Sequence, residues 1–395
     1  MNVHESTSQQ IPAPLWRLAF RVGFLGAGVF AVAAMARWLF WIEAPTSWTA
    51  NINPQWWHAH EMIFGFALPV VAGFLLSAVA VWTGIAGTKG PRLQLLFGAW
   101  LLARLTLWLI PTAVLLAWTA EMVFIALLIF ELGSRVWARR QWRNMLFIPV
   151  LLGLATLNTI SYITADDIIM STRLHYSAVS LMAILVVIIG GRVIPIFTAN
   201  RLGLKIAPLP NWLEYSAIGS VALVAALLAV WPLEKIAVPF QMLCLLAGAL
   251  HLYRLSHWQG WKTAGVPLLW SMHLSYLCIP LALLGFAFVG SNPIAIKNIM
   301  HLLAVGTIGG MILSMMSRVS LGHTARKMEL SRGMASAFGL IFIAAVTRAL
   351  LPVLDPSLTH WSWRISAALW IVAFAVFVFH YYPVLTRPRV DGKPG

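Results

Sequence analysis

Apolar stretches of roughly 20 residues, separated by short polar breaks, fill the chain from residue 16 to residue 385. A stretch of that length can cross the hydrocarbon layer of a bilayer, roughly 30 Å thick, as one helix. The pattern predicts twelve spans, at residues 16–42, 57–82, 92–110, 112–134, 144–163, 174–198, 212–231, 236–254, 266–289, 299–317, 334–353 and 362–385. We therefore expect an all-α, polytopic membrane bundle that forms a single domain over residues 1–395.

The composition excludes a soluble protein. Hydrophobic residues make up 60% of the chain and charged residues 10%, with a mean hydropathy of +0.83, whereas soluble domains carry roughly a quarter charged residues. The two cysteines, Cys244 and Cys278, lie inside apolar stretches. They can form neither a disulfide framework nor a Cys-x-x-Cys-His site for covalent haem, so any haem must be held by coordination alone.

The positive charge is a topology signal. The formal net charge is +15, and most of the 27 lysines and arginines lie in short loops on the side of both termini. This distribution predicts cytoplasmic termini and contact with the lipid bilayer, and it argues against nucleic-acid binding. The first span is followed by no small-residue cleavage signal, so we interpret it as a retained helix. The opposite, outer side is then periplasmic.

An internal repeat relates the second, sixth and tenth spans, because each opens with histidine on the outer side. The spacing from His175 to Arg192 equals that from His301 to Arg318, at 17 residues. At 1.5 Å per residue, each arginine lies about 25 Å below its histidine. The pattern predicts three four-helix repeats, approximately at residues 16–138, 139–256 and 262–387.

Four histidines at the outer ends of these spans are candidate metal ligands. His58, His60, His175 and His301 share one depth, and imidazoles from several helices are how a bundle holds haem iron or copper. His58 and His60 differ by about 200° around a regular helix and cannot both face one point, unless the helix is irregular near Asn53-Pro54. A hydrogen-bonded polar rim at the water interface is the alternative.

The remaining histidines and two methionines are weaker candidates. We interpret His273 as a hydrogen-bonded packing residue and His360 as a loop residue that is a minor ligand candidate. Met62 and Met300 adjoin the histidine motifs and have the soft thioether that copper prefers. Outer tryptophans are typical of the aromatic belt at a membrane interface: Trp48, Trp56, Trp57, Trp361 and Trp363.

Positive side chains inside the outer half of the bundle suggest an anionic ligand. Arginine at such depth costs several kcal/mol unless it is paired or hydrated. The carboxylates available there, Glu61 and Glu121, are too few to balance all the cations, and haem propionates would fit because arginine binds carboxylates bidentately. Snorkelling to headgroups or water is the alternative. The cations are Arg37, Arg104, Arg173, Lys297 and Arg348.

Three carboxylates could carry protons. Glu61 adjoins His60, and Glu121 lies in the outer half of the fourth span. Glu131 lies in the inner half of that span, where it could pass protons from the cytoplasm or be an ordinary hydrated carboxylate. We treat these residues as a candidate proton or polar relay.

Three motifs in this sequence resemble the signature of the NnrS family. The first runs from Trp57 to Phe66 as WHAHEMIFGF, the second from Gly190 to Pro195 as GGRVIP, and the third from Arg318 to Thr324 as RVSLGHT. The likeness covers nearly the whole chain, with Ala325 standing where the family usually has glycine. It implies a twelve-helix bacterial inner-membrane protein that binds haem and copper and protects against nitric oxide and nitrosative stress.

A more distant likeness is to the catalytic subunits of haem-copper oxidases and nitric oxide reductases. Those proteins also carry histidines on the second, sixth and tenth spans, but they add a histidine pair on the seventh span and a His-x-His on the tenth. Here the seventh span has no histidine and the tenth has His301 alone near its outer end. A binuclear oxygen-reducing centre of that type is therefore not expected.

The sequence hypothesis is a protein that holds haem b, with copper as a further metal, and handles nitric oxide. His58 or His60 would bind the haem with His301, while His175 would bind the same haem or a neighbouring copper. The alternative from another class is a twelve-helix secondary transporter without a redox cofactor. The sequence leaves open whether the protein is an enzyme, what donates electrons and whether it forms oligomers.

Overall fold

The computed structural model describes residues 12–47 and 52–393, and within them the chain is helical. Trp48 lies outside the described residues. Twelve long helices form the described bundle: α1 Ala19–Glu43, α2 Pro54–Thr83, α3 Pro91–Leu109, α4 Val114–Ala138, α5 Phe147–Ile163, α6 Ile168–Leu202, α7 Asn211–Val230, α8 Ala237–Ser256, α9 Pro267–Val289, α10 Pro293–His323, α11 Arg332–Leu354 and α12 Thr359–Thr386.

Each helix corresponds to one predicted span, so the prediction of an all-α membrane bundle is confirmed. Eleven of these described helices are long and apolar enough to cross a bilayer. The exception is α3, whose 19 residues include Arg92 and Arg104. The chain is a multi-pass membrane protein by these criteria. The three repeats remain a prediction.

Two helices begin about six residues before the predicted span, because strong capping residues precede the apolar stretch. At α10, the Asn292 side chain accepts hydrogen bonds from the backbone N–H groups of Ile294 and Ala295, and Pro293 is the first helical residue. At α6, Asp167 accepts from the N–H of Met170. Charged and polar residues in these first turns lower the local hydropathy, so the predicted span begins later than the helix does.

The two helices α2 and α10 contain π-helical segments, at Glu61–Ala67 and Leu302–Gly309. Each segment follows directly on a histidine, and each helix opens with an Asn-Pro cap and a short α-helical stretch. The irregularity considered for Asn53-Pro54 therefore lies after His60, not before His58. Such π turns are rare and are frequent at functional sites. Helix α6 is α-helical throughout.

The histidine-bearing helices occupy the middle of the bundle. Helices α2 and α10 are the most buried of the candidate spans, and the π segment of each contacts α6. At the other end of the bundle, the buried Arg21 of α1 donates hydrogen bonds to the carbonyl oxygens of Leu385 and Arg387, at 2.9 and 2.8 Å. The start of α1 and the end of α12 therefore lie together. We call this the terminal end, and the opposite end the cavity end.

Candidate cofactor site

A cavity of about 220 Å³ lies at the cavity end, between α1, α2, α6 and α10 to α12. Its walls are mainly apolar and aromatic. Among the described residues that line it, none is aspartate or glutamate. Five residues that the sequence predicted to bind a cofactor line it together: His58, His175, Lys297, His301 and Arg348.

The ring of His58 is held flat against Trp38 of α1, with ring centroids 4.2 Å apart and planes inclined by 16°. Its Nδ1 is buried and has no hydrogen-bond partner among residues 12–47 and 52–393. A buried nitrogen without a partner is costly unless something binds it. His58 is therefore positioned by stacking and retains a nitrogen for a ligand.

His301 is oriented by its own helix. Its Nδ1–H donates to the carbonyl oxygen of Lys297 at 2.8 Å. This hydrogen bond fixes the tautomer of the neutral ring, so that Nε2 carries the lone pair, as in metal-binding histidines whose second nitrogen is held by a carbonyl. The ring of His301 is therefore held in one orientation, with Nε2 as its free acceptor.

His175 is held more loosely by two serine hydroxyls. The Oγ of Ser171 lies 3.4 Å from Nδ1, and the Oγ of Ser161 lies 3.3 Å from Nε2. Both distances are long for hydrogen bonds to oxygen. His175 can therefore release either contact at a small cost in free energy. Of the three imidazoles, its orientation and tautomer are the least fixed by hydrogen bonds.

Within the described part of the chain, the cations of the cavity have polar partners and no carboxylate partner. Arg348 is buried, donates to Asn298 Oδ1 at 2.7 Å and lies 5.7 Å from the ring centroid of Trp363. Lys297 Nζ lies 3.4 Å from Gln55 Oε1. The indole Nε1 of Trp363 is buried and has no hydrogen-bond partner among the residues that the structure describes. Two positive charges and one unused donor thus surround a space that an anionic group would fill.

His60 is absent from the cavity lining and belongs to a separate buried group. Its Nδ1 lies 3.0 Å from Glu61 Oε1, and its Nε2 lies 2.9 Å from Asn158 Oδ1 and 3.2 Å from Glu121 Oε2. Arg104 forms ion pairs with both glutamates. We call these five residues the His60 cluster. Arg104 balances one of the two negative charges of the carboxylates, so one negative charge remains.

The His60 cluster also has the donor geometry of a metal site. One ligand atom from each of His60, Glu61 and Glu121 lies within 4.8 Å of the others. The guanidinium of Arg104 already provides a positive charge to both carboxylates. A metal ion would therefore have to compete with Arg104 for these oxygens.

The structure thus places His58, His175 and His301 around one cavity. The side chain of His60 points away from this cavity, as expected for a residue about 200° from His58 around the helix. Trp56 connects the two groups, because its ring stacks on His60 at 4.4 Å and meets the edge of His175 at 6.1 Å.

Besides the predicted residues of the His60 cluster, three more lie outside the cavity lining, Arg37, Arg173 and Glu131. Arg37 packs over Trp57 and Trp108, at 4.6 and 5.0 Å from their ring centroids. Arg173 donates to the carbonyl oxygens of Leu228 and Ala229 in α7. Arg104 belongs to the His60 cluster, as described above. Glu131 accepts hydrogen bonds from Thr88 and Arg135.

Sequence reasoning missed several contributors. Asn158 contacts His60, and Asn298 accepts a hydrogen bond from Arg348. An amide residue inside an apolar stretch is the sequence feature that could have identified both. Gly65 is required by close approach, since a Cβ there would lie 2.8 Å from Arg104 Nη1. The roles of Trp38 and Trp363 had no distinct signal among 20 tryptophans.

Comparison with known families agrees with this architecture. The profile of the NnrS family, described as NnrS protein, matches residues 14–389, nearly the whole chain. The chain belongs to the NnrS family. This family is associated with metal or haem binding. The chain is therefore a multi-pass membrane protein of the NnrS family with histidines that line one cavity. Comparison with curated proteins gives no significant match.

Proposed function

We propose that this protein binds haem b in the cavity and handles nitric oxide in the bacterial inner membrane, protecting the cell against nitrosative stress. One observation supports the proposal above all others. Three imidazoles and two cations share a cavity with no carboxylate among its described lining residues. Haem b needs nitrogen ligands for its iron and positive partners for its two propionates.

The imidazoles of His58 and His301 are assigned to the iron. His58 retains a buried nitrogen without a partner, and His301 has its tautomer set by the Lys297 carbonyl. When bound, haem would supply an iron that can coordinate nitric oxide. His175 is the candidate for a neighbouring copper, since Met62 and Met300 also line the cavity and copper prefers soft ligands.

The cations are assigned to the propionates. Arg348, with Asn298 behind it, presents a fixed guanidinium, and Lys297 presents a second charge. Trp363 Nε1 adds a donor that has no other partner. Because the remaining lining is apolar, nitric oxide can partition to the site from the lipid, and no charged entry route is needed.

A transporter of anionic solutes is the second candidate, because the same cations could bind a transported anion. The location of the cavity near one end of the bundle favours a cofactor, since transporter sites usually lie near the midplane of the bilayer.

The optical spectrum of the purified protein separates these functions. A Soret band with haem b pyridine haemochrome is expected, together with iron near one equivalent. Nitric oxide added anaerobically should shift the spectrum of the reduced protein. A preparation from haem-sufficient cells with no Soret band, and no gain of one on adding hemin, would contradict the haem proposal and favour transport.

A further inference from the structure

A second pocket lies at the terminal end, on the lipid-facing side of α8 and α9. It has a volume of about 670 Å³ and is lined mostly by leucine and tryptophan. Leu274 and Trp261 at its edge are 38% and 69% exposed, so it opens toward the bilayer. We call it the lipid-side groove. Its position at the opposite end of the bundle separates it from the cofactor cavity.

Two buried polar side chains line the lipid-side groove, those of Thr263 and His273, and the hydroxyl of Thr263 donates to the carbonyl oxygen of Gly260 at 2.6 Å. His273 is 6% exposed, and its Nδ1–H donates to the carbonyl oxygen of Leu269 at 3.0 Å. Its Nε2 is buried and has no hydrogen-bond partner. The carbonyl of Trp258, which approaches the ring, is an acceptor and cannot donate to Nε2.

The protonation state of His273 follows from its surroundings. An imidazolium here would be a buried charge, and no residue that lines the groove is acidic; such a charge costs far more than a neutral ring. With Nδ1–H committed to Leu269, the neutral ring leaves a lone pair on Nε2. His273 Nε2 is therefore a buried acceptor in the groove, which a ligand satisfies only by donating a hydrogen bond.

The ring of His273 is also fixed in place. A Cβ at Gly260 would lie 2.6 Å from His273 Cδ2, so the backbone of the 3₁₀ turn Gly260–Thr263 packs directly against the imidazole. On the other side of the groove, Trp270 packs edge-on to Phe338 at 6.1 Å. The acceptor and the aromatic wall are thus both held by packing.

We propose that the lipid-side groove binds a quinol, a lipid-soluble molecule with a flat ring, ring hydroxyl groups and an apolar tail. The hydroxyl would donate to His273 Nε2, the ring would pack against Trp270 and Trp261, and the tail would extend along the exposed leucines. A phospholipid acyl chain fills the same space but leaves Nε2 without a partner. The inference does not rest on the haem proposal, because it uses none of the cavity residues.

The donor requirement gives a specific test. The full-length protein in phosphatidylcholine nanodiscs is titrated anaerobically with tritium-labelled decylubiquinol, and binding is measured by scintillation proximity. The oxidised quinone has carbonyl acceptors only, so we expect it to bind about tenfold more weakly than the quinol, as expected for the loss of one buried hydrogen bond. Unlabelled dodecanol, which donates but has no ring, should compete poorly.

Two variants test the site itself. His273→Phe keeps a ring but removes the acceptor, and it should weaken quinol binding about tenfold and abolish the preference for quinol over quinone. Its control is His257→Phe, at an exposed histidine outside the groove lining. Leu274→Trp should narrow the groove and weaken both ligands, whereas Leu281→Trp, on an exposed position outside the lining, should not.

Equal binding of quinol and quinone, strong competition by dodecanol, or unchanged binding in both His273→Phe and Leu274→Trp would overturn the quinol assignment. If His273→Phe fails to fold, Leu274→Trp and the quinol-to-quinone ratio of the native protein still decide it. The Soret band should be unchanged in all four variants, so failure here is separate from failure of the haem proposal.

Discussion

The cavity and the His60 cluster lie side by side and contain the same kinds of cation, yet their charge balance differs. In the His60 cluster, Arg104 pairs with Glu61 and Glu121. In the cavity, the hydrogen-bond partners of Arg348 and Lys297 among the described side chains are the neutral amides of Asn298 and Gln55. Buried charge is costly unless it is paired. On this difference we propose that Arg104 stabilises the fold and that Arg348 binds an anionic ligand.

The same contrast holds for the imidazoles. Both nitrogens of His60 are within hydrogen-bond distance of side-chain oxygens, while His58 has a buried nitrogen without a partner. Two histidines that are two positions apart in sequence thus serve different regions. The depth that the sequence predicts for both does not distinguish them, whereas their partners do.

The largest expected effect is the loss of an iron ligand. His58→Ala and His301→Ala should each lower bound haem at least tenfold in the purified protein, because each removes a prepared imidazole. The pyridine haemochrome per mole of protein measures it. His273→Ala, which removes a buried imidazole at the terminal end, is the control. Haem retention equal to that control in both variants would remove these residues as ligands.

Arg104 and Arg348 should respond oppositely to one change. Arg104→Gln leaves two buried carboxylates without their cation, so we expect a loss of about 3–5 kcal/mol in the free energy of unfolding. Arg348→Gln should instead lower haem affinity by roughly one to two decades, from about 1.5–3 kcal/mol of charge-assisted hydrogen bonding. Thermal unfolding in detergent and hemin titration measure the two quantities.

Two results would contradict the roles assigned to Arg348 and Arg104. Haem affinity unchanged in Arg348→Gln would return Arg348 to a snorkelling role. A loss of haem affinity in Arg104→Gln without a loss of stability would place Arg104 at a propionate. Arg37→Gln and Arg173→Gln serve as controls, since neither residue lines the cavity.

A smaller effect concerns coupling within the His60 cluster. Adding Glu121→Gln to Arg104→Gln removes one of the stranded carboxylates, so the double variant should recover about 1–3 kcal/mol of the stability lost in the single variant. Glu131→Gln, in the inner half of the same helix, should restore nothing. Strictly additive losses would show that Glu121 and Arg104 do not act as a pair.

The smallest effect is expected at Lys297. It lies at the edge of the cavity, with Gln55 as a distant partner at 3.4 Å, and partial hydration weakens its charge. Lys297→Gln should lower haem affinity about threefold, less than Arg348→Gln does. A hemin titration of both variants at one ionic strength checks the order. A larger loss for Lys297 would reverse the assignment of the main propionate partner.

Hydropathy was sufficient to locate the twelve described helices, eleven of which are long and apolar enough to cross a bilayer, because an apolar stretch of this length has few alternatives there. It also predicted one depth for His58, His175 and His301, which line one cavity. It could not decide between His58 and His60, since the choice depends on which way α2 faces its neighbours. Nor could it pair Arg104 with Glu61 and Glu121, because those contacts join three helices that are distant in sequence. The π segments had no recognised sequence signal.

Those π segments have a consequence for how the site can change. An α-helix turns about 100° per residue, so one residue inserted into a regular α-helix would rotate everything beyond it by about that angle, whereas a wider π turn can hold an extra residue. The histidine end of α2 or α10 can thus be aimed independently of the apolar face below, which must keep its packing. A regular α-helix through Glu61–Ala67 or Leu302–Gly309 would instead tie the direction of the imidazoles to that of the apolar face.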